Sequence, residues 1–408
     1  MRLVVLLIVT ALASPARADV ALPSPLRSRD VAALARTHRA EIVAARAKAR
    51  AAGQRPAQVS ALDEPTVAFS IDHLPYSGMG ADWSASIEQS FPLSRVRKHR
   101  KLAAEAQARR DVADAERVER DVETEAEQAF WMLVQARANA GIVEEQHALA
   151  EQLVGAATAR YAAGTGNQAD VLRAQTERAR LAAERRATAA ESHAAEVMLN
   201  VALARTADAP VPVLDETVSD AEPPAADALA RASQQRPELR AGRAEIEQAE
   251  ADARVMRSMY APMAMVRTGP AYTMEAGHGW MAMVGITIPL WRGKLNAGVE
   301  EAKAMADMAR ADLSAMQRMA EGEARTSREL VVAARERYKA LRDDIVPRAQ
   351  QAIAPSLAAY SAGQVPLVSV VEAAQTLWSS QRELANARAQ LGMAWARLRR
   401  ASSQEVTP

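Results

Sequence analysis

The chain has 408 residues, a formal net charge of +1 and only 4% aromatic residues, which allows two or three ordinary domains or one elongated one but little large compact core. The near-cancelled charge excludes a strong overall footprint for nucleic acid or for an anionic membrane surface. The absence of cysteine excludes disulfides, zinc–thiolate sites, a cysteine nucleophile and a lipid anchor on cysteine.

In chain order, residues 1–18 read as a secretory signal. Arg2 is followed by an apolar run from Leu3 to Leu12 and by the small-x-small triplet Ala16-Arg17-Ala18, so the mature chain is expected to start at Asp19. No later stretch reaches the roughly 18–20 continuous apolar residues of a membrane helix. The mature chain is thus expected to be soluble outside the cytoplasm or to enter a membrane as strands. Residues 19–208 form a first repeat: a helix, a β-hairpin over 65–92, and a long helical hairpin over 95–206. Its rising leg, 95–163, holds no proline and only Gly141 and Gly155, which predicts a helix about 100 Å long. After the turn in YAAGTGNQADVL, residues 170–206 return without glycine or proline.

A proline- and acid-rich connector, 209–227, leads to a second repeat over 228–408. The order recurs: a helix, a β-hairpin over 261–289, and a long helical hairpin over 294–400, in which Pro347 and Pro355 should kink or interrupt the rising leg. The period is about 197 residues. Trp83 and Pro92 recur as Trp280 and Pro289, Ala33-Leu34-Ala35-Arg36 as Ala228-Leu229-Ala230-Arg231, and YAAGTGNQADVL as YSAGQVPLVSVV. The expected fold class is mainly α with a small β part. The helices alone fit a solvated coiled-coil rod, a periplasmic scaffold with no channel, equally well.

The strands decide between these readings. Trp83, Ala85, Ile87, Gln89 and Phe91 alternate with Ser84, Ser86, Glu88 and Ser90; Val67, Phe69 and Ile71 with Ala68, Ser70 and Asp72; and Trp280, Ala282, Val284, Ile286 and Ile288 share one parity. Strands of about 9–11 residues, apolar on one face and polar on the other with aromatics at their ends, predict a transmembrane β-barrel. Four strands cannot close a barrel, and open edges are not tolerated in lipid, so several chains must share one.

Three stretches, GITIPLWRGKLNAGVEEAKA, RPELRAGRAEIEQAEADA and the paired Y-x-x-G turns, resemble the TolC family of outer-membrane efflux ducts over essentially the whole mature chain. The resemblance implies a homotrimer with a 12-stranded transmembrane barrel, four strands per chain, continuous with a long α-helical barrel. It implies residence in the outer membrane of a Gram-negative bacterium, surrounded by lipid and extending into the periplasm. It further implies a passive exit duct of a tripartite efflux pump, docked to a periplasmic adaptor (membrane fusion) protein and an RND-type inner-membrane pump and exporting small toxic solutes or metal ions. The duct of a type I protein-secretion system uses the same scaffold and is the alternative. Neither a cofactor nor enzymatic chemistry is implied, and the six histidines are scattered outside any nucleophile or metal motif.

By the same resemblance, Gly164 and Gly363 match tip-turn glycines that meet the adaptor, and Asp170 and Glu372 match acidic positions at the closed aperture. Ser369 and Val365 depart from that pattern. Asp170 also reads as the N-cap of the returning helix. Seven of the 16 methionines lie between Met256 and Met283. Strand alternation sets Met281 and Met283 opposite Trp280, and Met263 and Met265 share parity with Arg267, which is costly on a lipid face. All four are expected to face the lumen, where thioether sulfur suits soft ions such as Cu(I), unless they only fill space or a bulge near Gly269-Pro270 or Gly285 shifts the register. A soft-ion path of this kind would be consistent with resemblance to the family's heavy-metal branch.

Overall fold

The structure, a computed structural model, describes residues 21–73 and 80–402. The expected signal over 1–18 and the tip of the first β-hairpin lie outside the described residues. Helices α1 (Ser28–His38) and α2 (Ala40–Ser60) precede strands β1 (Thr66–His73) and β2 (Asp82–Pro92). Helix α3 (Val96–Ala162) then runs 67 residues and turns into α4 (Gln168–Ala202). The second half repeats the order: α5 (Ala226–Ser233), α6 (Pro237–Ser258), β3 (Met263–Thr273), β4 (Gly277–Thr287), α7 (Arg292–Ala340), α8 (Val346–Ser361) and α9 (Leu367–Ser402). Among the described residues no helix is long and apolar enough to cross a membrane.

The two prolines of the second rising leg behave differently. Ahead of Pro347 the helix widens into a π-helical turn, Leu341–Ile345. A proline ring crowds the carbonyl four residues back and removes the N–H that would bond it, and a wider i→i+5 turn relieves both. Pro355, in contrast, sits inside an uninterrupted α8, so the interruption expected there does not occur.

The chain divides into two compact bodies. One contains 21–35, Glu125–Thr217 and Ile345–Ala389; the other contains Arg36–Thr124, Val218–Asp344 and 390–402. The first is a set of long helices with Phe130, Leu133, Leu181 and Leu199 fully buried. Phe130 and Trp131 meet edge to face at 5.2 Å. Near its helical turns, Leu153, Ala157, Ala174, Tyr360, Leu367 and Val370 form one buried cluster.

The second body holds the sheet and the helices around it. Alanines such as Ala106, Ala251, Ala306 and Ala309 are buried there, and small residues let helices approach closely. Gly242 of α6 meets Leu313 and Met316 of α7 closely enough that an added Cβ would press on both. Arg236, 6% exposed, is clamped between Glu323 at 2.6 Å and Glu238 at 3.2 Å, and Arg400 reaches Glu238 and Asp121 at 2.7 Å each.

The connector is strapped down rather than loose. In the first body Arg137 donates to the carbonyls of Val211 and Pro212, Asn200 to those of Ala207 and Ala209, and Leu26 bridges Leu214 in parallel. In the second body Trp395 donates to Ser219, Arg335 to Asp220 and Arg328 to Pro224. A segment with few backbone partners of its own is held by side chains.

Candidate functional site

The four strands form one antiparallel sheet in the order β1-β2-β3-β4, so β1 and β4 are open edges. The β2–β3 and β3–β4 registers each run without a shift. No bulge intervenes at Gly269-Pro270. Gly269 instead lets the backbone of Ala85 and Ser86 come so near that no Cβ could be accommodated. The β1–β2 register is constant from Thr66 to Ile71 and shifts only between Ile71 and His73. Constant register keeps directly paired residues on one face, so up to Ile71 the two faces can be read across all four strands.

One face carries Val67, Phe69, Ile71, Trp83, Ile87, Phe91, Val266, Trp280, Val284 and Ile286. Its apolar side chains stand open, Val67 at 78%, Val284 at 74% and Trp280 at 72% exposed. The Trp280 indole N–H is satisfied within this face by Thr268 Oγ1 at 2.7 Å. Trp83 stacks between Phe69 and Tyr272, with centroids 6.1 and 6.4 Å away. The other face carries Ser84, Ser86, Glu88, Ser90 and Arg267, and Met263, Met265, Met281 and Met283 stand among them. Met283 pairs with Arg267 and Met281 with Gly269, while Arg267 donates to Glu88 at 2.8 Å. The four methionines therefore share the polar face, beside an ion pair.

The helical turns in the first body are built twice on one plan. At the end of α3 the Thr165 N–H bonds the Arg160 carbonyl and the Gly164 N–H bonds Tyr161; at the end of α8 the Gln364 N–H bonds Ala359 and the Gly363 N–H bonds Tyr360. This crossed pair of bonds is the Schellman arrangement, which needs a left-handed residue just past the helix. Gly164 and Gly363 supply it, with φ of 71° and 78°.

Asp170 does not cap α4. Asn167 does: its backbone is extended and its side-chain oxygen accepts from the Ala169 N–H at 3.0 Å. Asp170 sits in the first turn, where a carboxylate still favours the helix dipole. Glu372 is exposed in the second turn of α9.

Sequence reading missed the groups that tie the two turns together. Arg160 donates to the Tyr360 carbonyl at 2.8 Å and to the Thr165 carbonyl at 3.2 Å, and lies over the Tyr360 ring at 4.8 Å. Burial pushes the Tyr360 phenol up, and the charge of Asp170 adds to this. Tyr360 is 1% exposed, whereas its repeat counterpart Tyr161 is 50% exposed. The Y-x-x-G pair flags both tyrosines, but only the fold shows that one is covered. Gly166 was missed too: a Cβ there would strike the backbone of Arg160 and Tyr161. Among the described residues no three histidine or acidic side chains converge as metal ligands.

Residues 228–404 match the family described as outer membrane efflux protein. Comparison with curated proteins gives no match. Several solved structures share the fold. The CusC channel is 16% identical with a TM-score of 0.80, aligned over 92% of this chain and 91% of that one. The Campylobacter jejuni outer membrane channel CmeC is 14% identical with a TM-score of 0.78, over 92% and 85%. The outer membrane protein VceC of Vibrio cholerae is 17% identical with a TM-score of 0.75, over 92% and 95%.

Proposed function

We propose, from the match of residues 228–404 to the family of outer membrane efflux proteins, that the chain is the passive outer-membrane exit duct of a tripartite efflux pump. The observation that carries this is the sheet: four strands with an exposed apolar face, a polar opposite face and two open edges. Unpaired backbone in hydrocarbon is costly. Three copies, each placing its β1 beside the next copy's β4, close a 12-stranded barrel with the apolar face toward lipid. The turns around Gly164 and Gly363 then serve a periplasmic adaptor, through which an inner-membrane pump delivers cargo. Asp170 and Glu372, repeated threefold, form an acidic ring that draws cations to the narrow end. The chain supplies no energy and drives no chemistry.

For cargo we propose soft metal ions. In the closed barrel Met263, Met265, Met281 and Met283 line the lumen, and thioethers bind Cu(I) and Ag(I) weakly enough to release them. Planar-bilayer recording tests the duct: the reconstituted protein conducts once the tip is opened, and a folded trimer that never conducts overturns the reading. Replacing the four methionines by leucine tests the cargo: copper and silver tolerance falls while tolerance of organic drugs stays level. Unchanged metal tolerance removes the metal path and leaves the duct.

A further inference from the structure

We propose that the base of the sheet, where its strands pass into helices, is a binding girdle for anionic phospholipid headgroups. The proposal rests on the membrane reading of the sheet. Pro92, Met263 and Thr287 lie in one row across β2, β3 and β4, so these strand ends share one end of the sheet. The apolar surface stops there with Phe91, Leu93, Ile288, Leu290 and Trp291, all exposed, Trp291 at 80%. Cations begin immediately. Arg95, Arg97, Lys98, Arg100 and Lys101 follow β2, and Arg292 and Lys294 follow β4, with no carboxylate between Phe91 and Lys101 or between Thr287 and Lys294. The near-zero net charge of the whole chain conceals this local segregation.

These cations oppose the local backbone. The first turns of α3 and α7 contain no acidic residue, although the positive end of a helix dipole disfavours Lys and Arg. Trp291, which precedes α7, makes no side-chain cap bond. The same unfavourable choice in both repeats calls for an anion from outside the chain, because conflicts between local preference and fold concentrate at functional sites. Arg97 and Arg100 also line a groove of about 250 Å³ with Leu62, Met259, Pro92 and Pro289, in which Asp63 is the one carboxylate against the two guanidinium groups. Guanidinium groups beside apolar walls match a phosphate joined to the head of an acyl chain, and Trp291 matches the interfacial depth at which aromatics sit. The girdle fixes the depth of the barrel in its leaflet.

The test reconstitutes the whole protein in nanodiscs of phosphatidylcholine with an equal share of phosphatidylglycerol, then releases it for native mass spectrometry. Parent protein retains phosphatidylglycerol several-fold over phosphatidylcholine. The preference falls by up to about fivefold per cation removed in variants combining Arg97→Gln, Lys98→Gln, Arg100→Gln, Arg292→Gln and Lys294→Gln. It also falls on raising salt, while inorganic phosphate at millimolar concentration does not displace the lipid. Equal retention of both lipids by the parent overturns the proposal, as does an unchanged preference in the variants. Displacement by inorganic phosphate shows a free-anion site instead. Conductance recorded in neutral lipid alone reports on the duct independently, so failure of one reading is told apart from failure of the other.

Discussion

Replacing Arg160 by alanine should loosen both helical turns at once. Arg160 makes two hydrogen bonds to carbonyls, of Tyr360 and Thr165, and a cation–π contact with the Tyr360 ring. A part-buried charged hydrogen bond contributes about 1.5 kcal/mol, the more exposed one about 0.5 kcal/mol, and an exposed cation–π contact about 0.5–1 kcal/mol. The total of about 2.5–3 kcal/mol raises the open population of the turns roughly 70- to 150-fold. Hydrogen exchange reads this directly, because local opening sets protection: amides of Thr165 and Gly363, both bonded within the Schellman turns, lose protection by that factor while amides around Phe130 do not. Arg160→Lys, which cannot bridge both carbonyls with a planar fork, should recover only part. Single-channel recording of the reconstituted protein should show larger leak in Arg160→Ala. Unchanged exchange at both turns would refute the reasoning, whatever the conductance.

Three further outcomes follow from the geometry. Valine at both Gly164 and Gly363, whose φ values are 71° and 78°, strains each turn by about 1–2 kcal/mol and should impair efflux while membrane insertion stays intact; unaltered tolerance in the double variant removes the docking role. Gly269→Ala drives a Cβ into the Ala85 backbone and should abolish assembled barrel on a semi-native gel, whereas Gly279→Ala, which meets nothing within 4 Å, should not. Burial pushes the Glu238 carboxyl up, but hydrogen bonds from Arg236 and its charge outweigh this and hold it below the usual range. A depressed carboxylate contributes stability that is complete above about pH 4.3 and lost as pH falls through and below it, so urea midpoints should drop on that acid limb, and less in Glu238→Gln; parallel limbs would disprove the assignment.

The faces of the sheet were legible because strand period is two and no register shift intervenes between β2, β3 and β4: Arg267, expensive against lipid, assigns its own parity to Met263 and Met265, and the register carries that assignment to Met281 and Met283. The Gly269-Pro270 pair signalled trouble in the register, yet the glycine accommodates the close backbone and the pairing continues. The turns were legible from glycine alone. Their fastening was not, because Arg160 and Tyr360 stand 200 positions apart, beyond any local pattern. Asp170 drew attention as an N-cap because the returning helix was read to open there, while Asn167, three residues earlier, has the extended backbone that capping needs. Composition marked 209–227 as a linker, since proline and acid segments are usually free; nothing local shows that Arg137, Arg328, Arg335 and Trp395 take up its carbonyls.

That fastening bears on how the gene can be cut. Two tandem copies invite expression as separate halves, or insertion of a reporter at the seam between them. Here the seam's carbonyls are claimed by Arg137 and Asn200 from the first copy and by Arg328, Arg335 and Trp395 from the second. A first half ending before Ala207 would leave Arg137 and Asn200 without their acceptors, and a second half beginning after Pro224 would do the same to Arg328, Arg335 and Trp395, whereas a break between Thr217 and Val218 leaves each set of donors with its own acceptors. The join is fastened at both ends, each end to its own copy, and an insertion is best placed in the short stretch between the two fastenings.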